Sequence, residues 1–134
     1  MRRATLLLCL AGLAGCAAEG GFQSRVGAVP PSVDDALAKN ILEFVGQHAR
    51  ETDGPIAIDA QDTTLAPKIK AVLASYGYQI SNGKAARHLR YAVAPLDGDV
   101  MLRIEFDHDD AAQLYRVVSG QLVPAGPLTV MASQ

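Results

Sequence analysis

Between Leu89 and Phe106 the apolar residues fall on alternate positions, and Asp97-Gly98 interrupts the run near its middle. A period of two sends successive side chains to opposite faces of a strand. Leu89, Tyr91 and Val93 therefore share one face, as do Val100, Leu102, Ile104 and Phe106, while Met101, Arg103 and Glu105 point the other way. Asp-Gly between two such runs provides residues that accept positive φ, which a tight two-residue hairpin demands. A chain committed to this hairpin has one apolar sheet face to bury, so the remaining sequence must supply a covering layer.

Two upstream segments have the period of that layer. Val33, Leu37, Ile41, Phe44, Val45 and His48 form a helical stripe, with Ser32 placed as N-cap, Asp34 and Asp35 in the first turn, and Asp35 in the capping-box position. A first helix over about 33 to 50 follows, stopped by Asp53-Gly54-Pro55. Ile56-Ala57-Ile58 reads as a short buried strand. A second helix starts near Thr63 or Thr64, accepts Pro67 in its first turn, and carries Leu65, Ile69, Val72, Leu73 and Tyr76 on one face. Gly77 is its C-cap. Tyr78-Gln79-Ile80 resumes as a strand, so residues 55 to 81 predict a strand, helix, strand unit with a right-handed crossover.

Asn82-Gly83-Lys84 leads into the hairpin. Beyond it, a polar turn at Asp107 to Asp110 opens a run through Leu114, Arg116 and Val118. Ser119-Gly120 then turns the chain into Leu122 to Val130, where Pro124 and Pro127 confine the segment to a sheet edge. The expected fold is α+β, with two helices packed on one face of a mixed, mostly antiparallel sheet, in the order α-β-α-β-β-β-β. It forms a single domain over 32–134. With no tryptophan and 5% aromatic residues, its core is mostly aliphatic.

The first residues follow a different logic. Met1-Arg2-Arg3 and the uncharged apolar stretch Ala4 to Leu13 have the form of a secretory signal, and that stretch is shorter than the about 20 residues that span a bilayer. Leu13-Ala14-Gly15-Cys16 resembles the lipobox of bacterial lipoproteins. The resemblance implies signal recognition by Leu13, Ala14 and Gly15, removal of residues 1–15 and lipidation of Cys16. By similarity to Gram-negative lipoproteins, Ala17 implies sorting to the outer membrane, facing the periplasm. Cys9 leaves with the signal, so the mature chain keeps no thiol for a disulfide. Residues 16–31, rich in Gly and Ala and closed by Pro30-Pro31, read as a flexible tether that reaches at most about 50 Å.

Loss of Arg2 and Arg3 leaves ten Lys and Arg against fourteen Asp and Glu, an acidic balance that gives no footprint for direct nucleic-acid binding. The densest polar group is Glu105, Asp107, His108, Asp109 and Asp110. Oxygen and imidazole ligands suit a divalent cation, but the spacing lacks the glycine and distant glutamate of a calcium loop, and a hairpin turn explains it better. His48 on an apolar stripe reads as a packed ring near a helix C-terminus. Arg87, His88 and Arg90 form a basic group that suits lipid headgroups, an acidic partner or a solvated face. Asp59 and Asp62 read as strand-end and helix-start residues, and Tyr76 and Tyr78 as core and strand positions. No nucleophile elbow or phosphate loop occurs, so neither catalytic residues, a metal nor a cofactor is expected.

Taken with the lipobox and the chain length, three segments carry a family resemblance: Val100-Met101-Leu102-Arg103-Ile104, Ala111-Ala112-Gln113-Leu114-Tyr115-Arg116, and Pro124-Ala125-Gly126-Pro127-Leu128-Thr129-Val130. On these the chain resembles the TrbH family of conjugal transfer lipoproteins. The resemblance implies a structural component of a type IV secretion (mating-pair formation) apparatus, anchored to the membrane through lipidated Cys16 and contacting other transfer proteins. Leu128 and Val130 on the C-terminal edge are then the expected docking residues, through strand addition. A general outer-membrane assembly lipoprotein is the alternative, and a periplasmic metal-dependent enzyme built on Asp107 to Asp110 a further one.

Overall fold

A computed structural model describes residues 23–83 and 86–132, so the expected signal peptide, with Leu13, Ala14, Gly15 and Cys16, lies outside the described residues. In chain order the elements are β1 (Arg25–Val26), a 3-10 turn (Pro31–Val33), α1 (Asp34–His48), β2 (Ile56–Ile58) and α2 (Leu65–Ser75). They continue with β3 (Arg87–Leu96), β4 (Asp99–Phe106), β5 (Asp109–Val118), β6 (Gln121–Pro124) and β7 (Thr129–Ala132). None of the described helices is long and apolar enough to cross a membrane.

The hairpin forms in the register its period dictates. Asp97 and Gly98 adopt φ of 51° and 86°, and Leu96 faces Asp99 across the turn. The same device recurs at Ser119 and Gly120, with φ of 52° and 77°, where Val118 faces Gln121. Positive φ at both turn residues matches the right-handed twist of the flanking strands. The sheet has seven strands. β1 and β2 lie along one edge of β3 and run parallel to it, β4 and β5 continue antiparallel, and β6 and β7 both pair with the far side of β5.

The helices cover the predicted face. Leu89, Tyr91 and Val93 of β3 and Val100, Leu102, Ile104 and Phe106 of β4 are buried against Leu37, Ile41, Phe44 and Val45 of α1 and Leu65, Ile69 and Leu73 of α2. Each such side chain contributes about 2 kcal/mol by leaving water. On the other face, the register sets Arg90 opposite Glu105 and Glu105 opposite Asp110.

The helix ends differ in part from expectation. Ser32 does not cap α1: Pro31 starts a 3-10 turn early, which places Ser32 inside it, and Val33 becomes the cap residue with no side-chain hydrogen bond. At α2 the cap is Asp62, whose Oδ2 accepts from the N–H of Leu65 at 2.7 Å and of Ala66 at 2.8 Å. Gly77, at φ 94°, closes α2 as expected: its N–H reaches the Ala74 carbonyl while that of Tyr78 reaches Leu73. Tyr76 is 63% exposed rather than in the core, because the helix ends at Ser75 and the chain turns there. Tyr78 is buried and donates its hydroxyl proton to the Ala49 carbonyl.

Two strand expectations also change. The expected strand Tyr78 to Ile80 is reduced to one parallel bridge between Ile56 and Ile80, in which Ile56 donates to Gln79 and accepts from Ser81. The C-terminal segment splits into β6 and β7, since the stretch with Pro127 leaves the ladder between Pro124 and Thr129.

The folded part begins before Ser32. Arg25 and Val26 sit opposite Ala92 and Val93, the Gly27 N–H donates to the Val93 carbonyl at 2.7 Å, and the Tyr91 N–H donates to Ser24 Oγ at 3.0 Å. A Cβ on Gly27 would lie 3.0 Å from Pro95 Cδ and 3.2 Å from the Val93 carbonyl oxygen, so any larger residue there would push the two backbones apart by a few tenths of an ångström.

Candidate functional site

The acidic turn is dispersed by its own register. Alternation along β4 and β5 sends its carboxylates to different partners. Asp107 accepts from Arg87 at 3.1 Å, Asp109 lies 3.6 Å from His48 Nε2, Asp110 accepts two hydrogen bonds from the Arg103 guanidinium, and Glu105 accepts from Arg90 at 2.8 Å. Asp107 itself takes a φ of 59°, as turn residues do. Among the described residues no group of three or more His, Cys, Asp and Glu is placed to hold a metal ion.

The basic group is similarly engaged. Arg87 stacks over the Phe106 ring at 4.9 Å and lies 3.9 Å from Asp53 as well as beside Asp107. His88 Nδ1 is 2.8 Å from Asp59, which also pairs with Arg90 at 3.3 Å. This patch is therefore charge-compensated, the solvated-face reading of the three. His48 packs on Phe44 with ring centroids 4.3 Å apart, and its Nδ1 donates to the Phe44 carbonyl, which fixes the tautomer with Nε2 toward Asp109.

One buried polar contact inside the domain is indicated by no local spacing. Tyr91, fully buried on β3, donates its hydroxyl proton to Asp62 Oδ1, while the other oxygen of that carboxylate caps α2. Burial pushes the Asp62 carboxyl up, but hydrogen bonds from Tyr91, Ala66 and Leu65 together outweigh it and hold the group below its ordinary value. Burial, then the Asp62 hydrogen bond, drives the Tyr91 phenol far above its usual range. The pair pins α2 to the sheet. Asp34, at the start of α1, is pushed up by burial, which outweighs the opposing effect of Lys68.

Surface chemistry of another kind gathers at the C-terminal edge. Among the described residues the exposed large apolar side chains are Tyr76, Leu96, Val118, Val123, Leu128 and Val130, and the last four belong to β5, β6, β7 or the loop before β7. Val130 pairs with Ala111 at the edge; Leu128 lies just outside the strand and lines a cavity of about 150 Å³ together with Asn40, Phe44 and Gln47 of α1 and Tyr115 of β5. The loop is held by Gln113, whose side-chain amide donates to the Gly126 carbonyl, and by the Ala125 N–H bonded to the Leu114 carbonyl. Both expected docking residues thus lie on an edge whose outer strands have no further neighbour among the described residues.

Fold and surface together define a small two-layer α+β domain with one open, apolar sheet edge. The chain belongs to the TrbH family: the family described as conjugal transfer protein TrbH matches residues 17–134. A similar protein from Sinorhizobium fredii (strain NBRC 101917 / NGR234), a probable conjugal transfer protein TrbH, is 26% identical over 135 residues, which cover 89% of each chain. No solved structure matches. Membership bears out the resemblance carried by the last third of the sequence and connects the chain with conjugation.

Proposed function

We propose that this chain is an envelope lipoprotein of a conjugative type IV secretion apparatus, held at the outer membrane through lipid on Cys16, with an assembly role in mating-pair formation. The observation that carries this reading is the family match over residues 17–134, whose first residue directly follows the lipobox cysteine. An acidic mature chain supports docking to transfer proteins and not to DNA. The open edge with Leu128 and Val130 is a surface for contacts within that assembly.

Ser24 to Gly27 dock on β3, so only residues 17–23 separate the lipobox cysteine from the sheet. From Cys16 to Gln23 the chain spans at most ~25 Å, against roughly 50 Å for the whole segment to Pro31. The domain then works close to the membrane surface.

Deletion of the gene, complemented by the wild type and by Cys16→Ser, tests the proposal. Plasmid transfer should fall in the deletion and recover with the wild type only, and palmitate labelling of the protein should vanish in Cys16→Ser. Unchanged transfer in the deletion removes the conjugation role; labelling that persists in Cys16→Ser removes the anchor.

A further inference from the structure

From Val117 to Gln134 the sequence carries no charged side chain, and this stretch forms the end of β5 and all of β6 and β7. Exposed edges are ordinarily blunted with charge, most often lysine, because a row of unpaired N–H and C=O groups invites another strand. Here that protection is missing where Leu128 and Val130 are more than half exposed. Pro124 and the loop after it interrupt the β6 half of the edge, which leaves β7 as its regular part.

We infer that β7 pairs antiparallel with β7 of a second copy of this chain, continuing the two sheets into one. Charge selects the occupant. With fourteen acidic and ten basic side chains after processing, copies of the mature chain repel one another over much of their surface, whereas the edge strand itself carries no charged side chain. A foreign strand would have to bring its own neutral edge, and a second copy already has one.

Symmetry then limits the register. Directly opposite residues in an antiparallel pair share a face, so a two-fold axis normal to the sheet aligns only positions of equal parity. Of the two such registers centred on β7, the one that extends the pairing to Leu128 sets Val130 opposite the second copy's Val130, Thr129 opposite Met131 and Leu128 opposite Ala132, with both pairs of helices on the same side of the joined sheet. This inference rests on the reading of the edge as a docking surface and is independent of the role in conjugation.

The test is cysteine cross-linking in the full chain, expressed in Gram-negative cells without transfer genes. Opposed Cα atoms of an antiparallel pair lie about 4.5–5.5 Å apart, within the range that a disulfide bridges. Mild oxidation should convert most Val130→Cys protein to a disulfide dimer, but neither the wild type nor Thr64→Cys, exposed at the start of α2. Detergent-extracted wild type should sediment as a dimer and Val130→Lys as a monomer, with far-UV circular dichroism unchanged. If Val130→Lys fails to fold, Leu128→Glu, outside the strand, gives the same readout. A wild type that is monomeric at tens of micromolar and a Val130→Cys that forms no disulfide would overturn the inference. So would a cross-link that arises only with transfer genes present and joins a different protein. A dimer in a chain whose deletion leaves plasmid transfer unchanged would sink the conjugation role and keep the interface.

Discussion

Tyr91 holds the domain together in a way that its place in an alternating strand does not announce. Its ring fills the core, and its hydroxyl donates to an Asp62 carboxylate that is also engaged by two α2 amides. Tyr91→Phe keeps the ring and removes a hydrogen bond to a charged group, so urea unfolding at neutral pH should show a loss of about 1.5–3 kcal/mol. The pH dependence has two arms. The folded-state pKa of Asp62 is depressed, so its contribution is present above the unfolded value of 3.8 and is lost as pH falls through the folded value. That of Tyr91 is raised, so its contribution is present below the unfolded value of 10.0 and declines as pH rises beyond it. Stability curves of the wild type should fall at both ends. If Tyr91→Phe gives the same two slopes, the pair does not act this way. Asp62 was legible as a helix-start residue, but Tyr91 follows it by 29 positions, and no periodicity encodes a contact across that separation.

At the scale of elements, the two helices are started by different means. α1 follows a 3-10 turn nucleated by Pro31 and has no side-chain cap, whereas α2 is capped by Asp62 from the preceding loop. Ser32→Ala should therefore change the unfolding free energy by no more than about 0.5 kcal/mol, the range of an uninvolved surface position. Asp62→Ala should cost about 2 kcal/mol or more, through the lost cap and the stranded Tyr91 hydroxyl. Equal losses in the two variants, measured by thermal unfolding, would restore Ser32 as a cap. The apolar stripes and the Gly77 stop were legible because they depend on the chain within a turn or two. The start of α1 was not, since Ser-x-x-Asp is a capping signature that Pro31 overrides by starting a 3-10 turn one residue before Ser32.

For the whole molecule, the decisive feature is where non-neighbouring segments meet. The segment read as tether ends on β3 because Gly27 admits a backbone approach that a Cβ would widen. Gly27→Val should detach it: hydrogen exchange at the amide of position 27 should speed up roughly tenfold or more while the amides of β4 stay protected. Unchanged exchange at Gly27 would mean that the contact with Pro95 relaxes without cost. What the sequence by itself determined was the central hairpin, the two amphipathic helices and a proline-interrupted edge, because period, turn chemistry and capping act through residues close in the chain. Tertiary structure alone decided that Ser24 to Gly27 zip onto β3, that Asp62 meets Tyr91, that the acidic turn and basic group divide into separate ion pairs, and that the charge-free C-terminus ends as an open edge. Each of these depends on which distant strands lie side by side, and sheet register sets that pairing only once the whole core has closed.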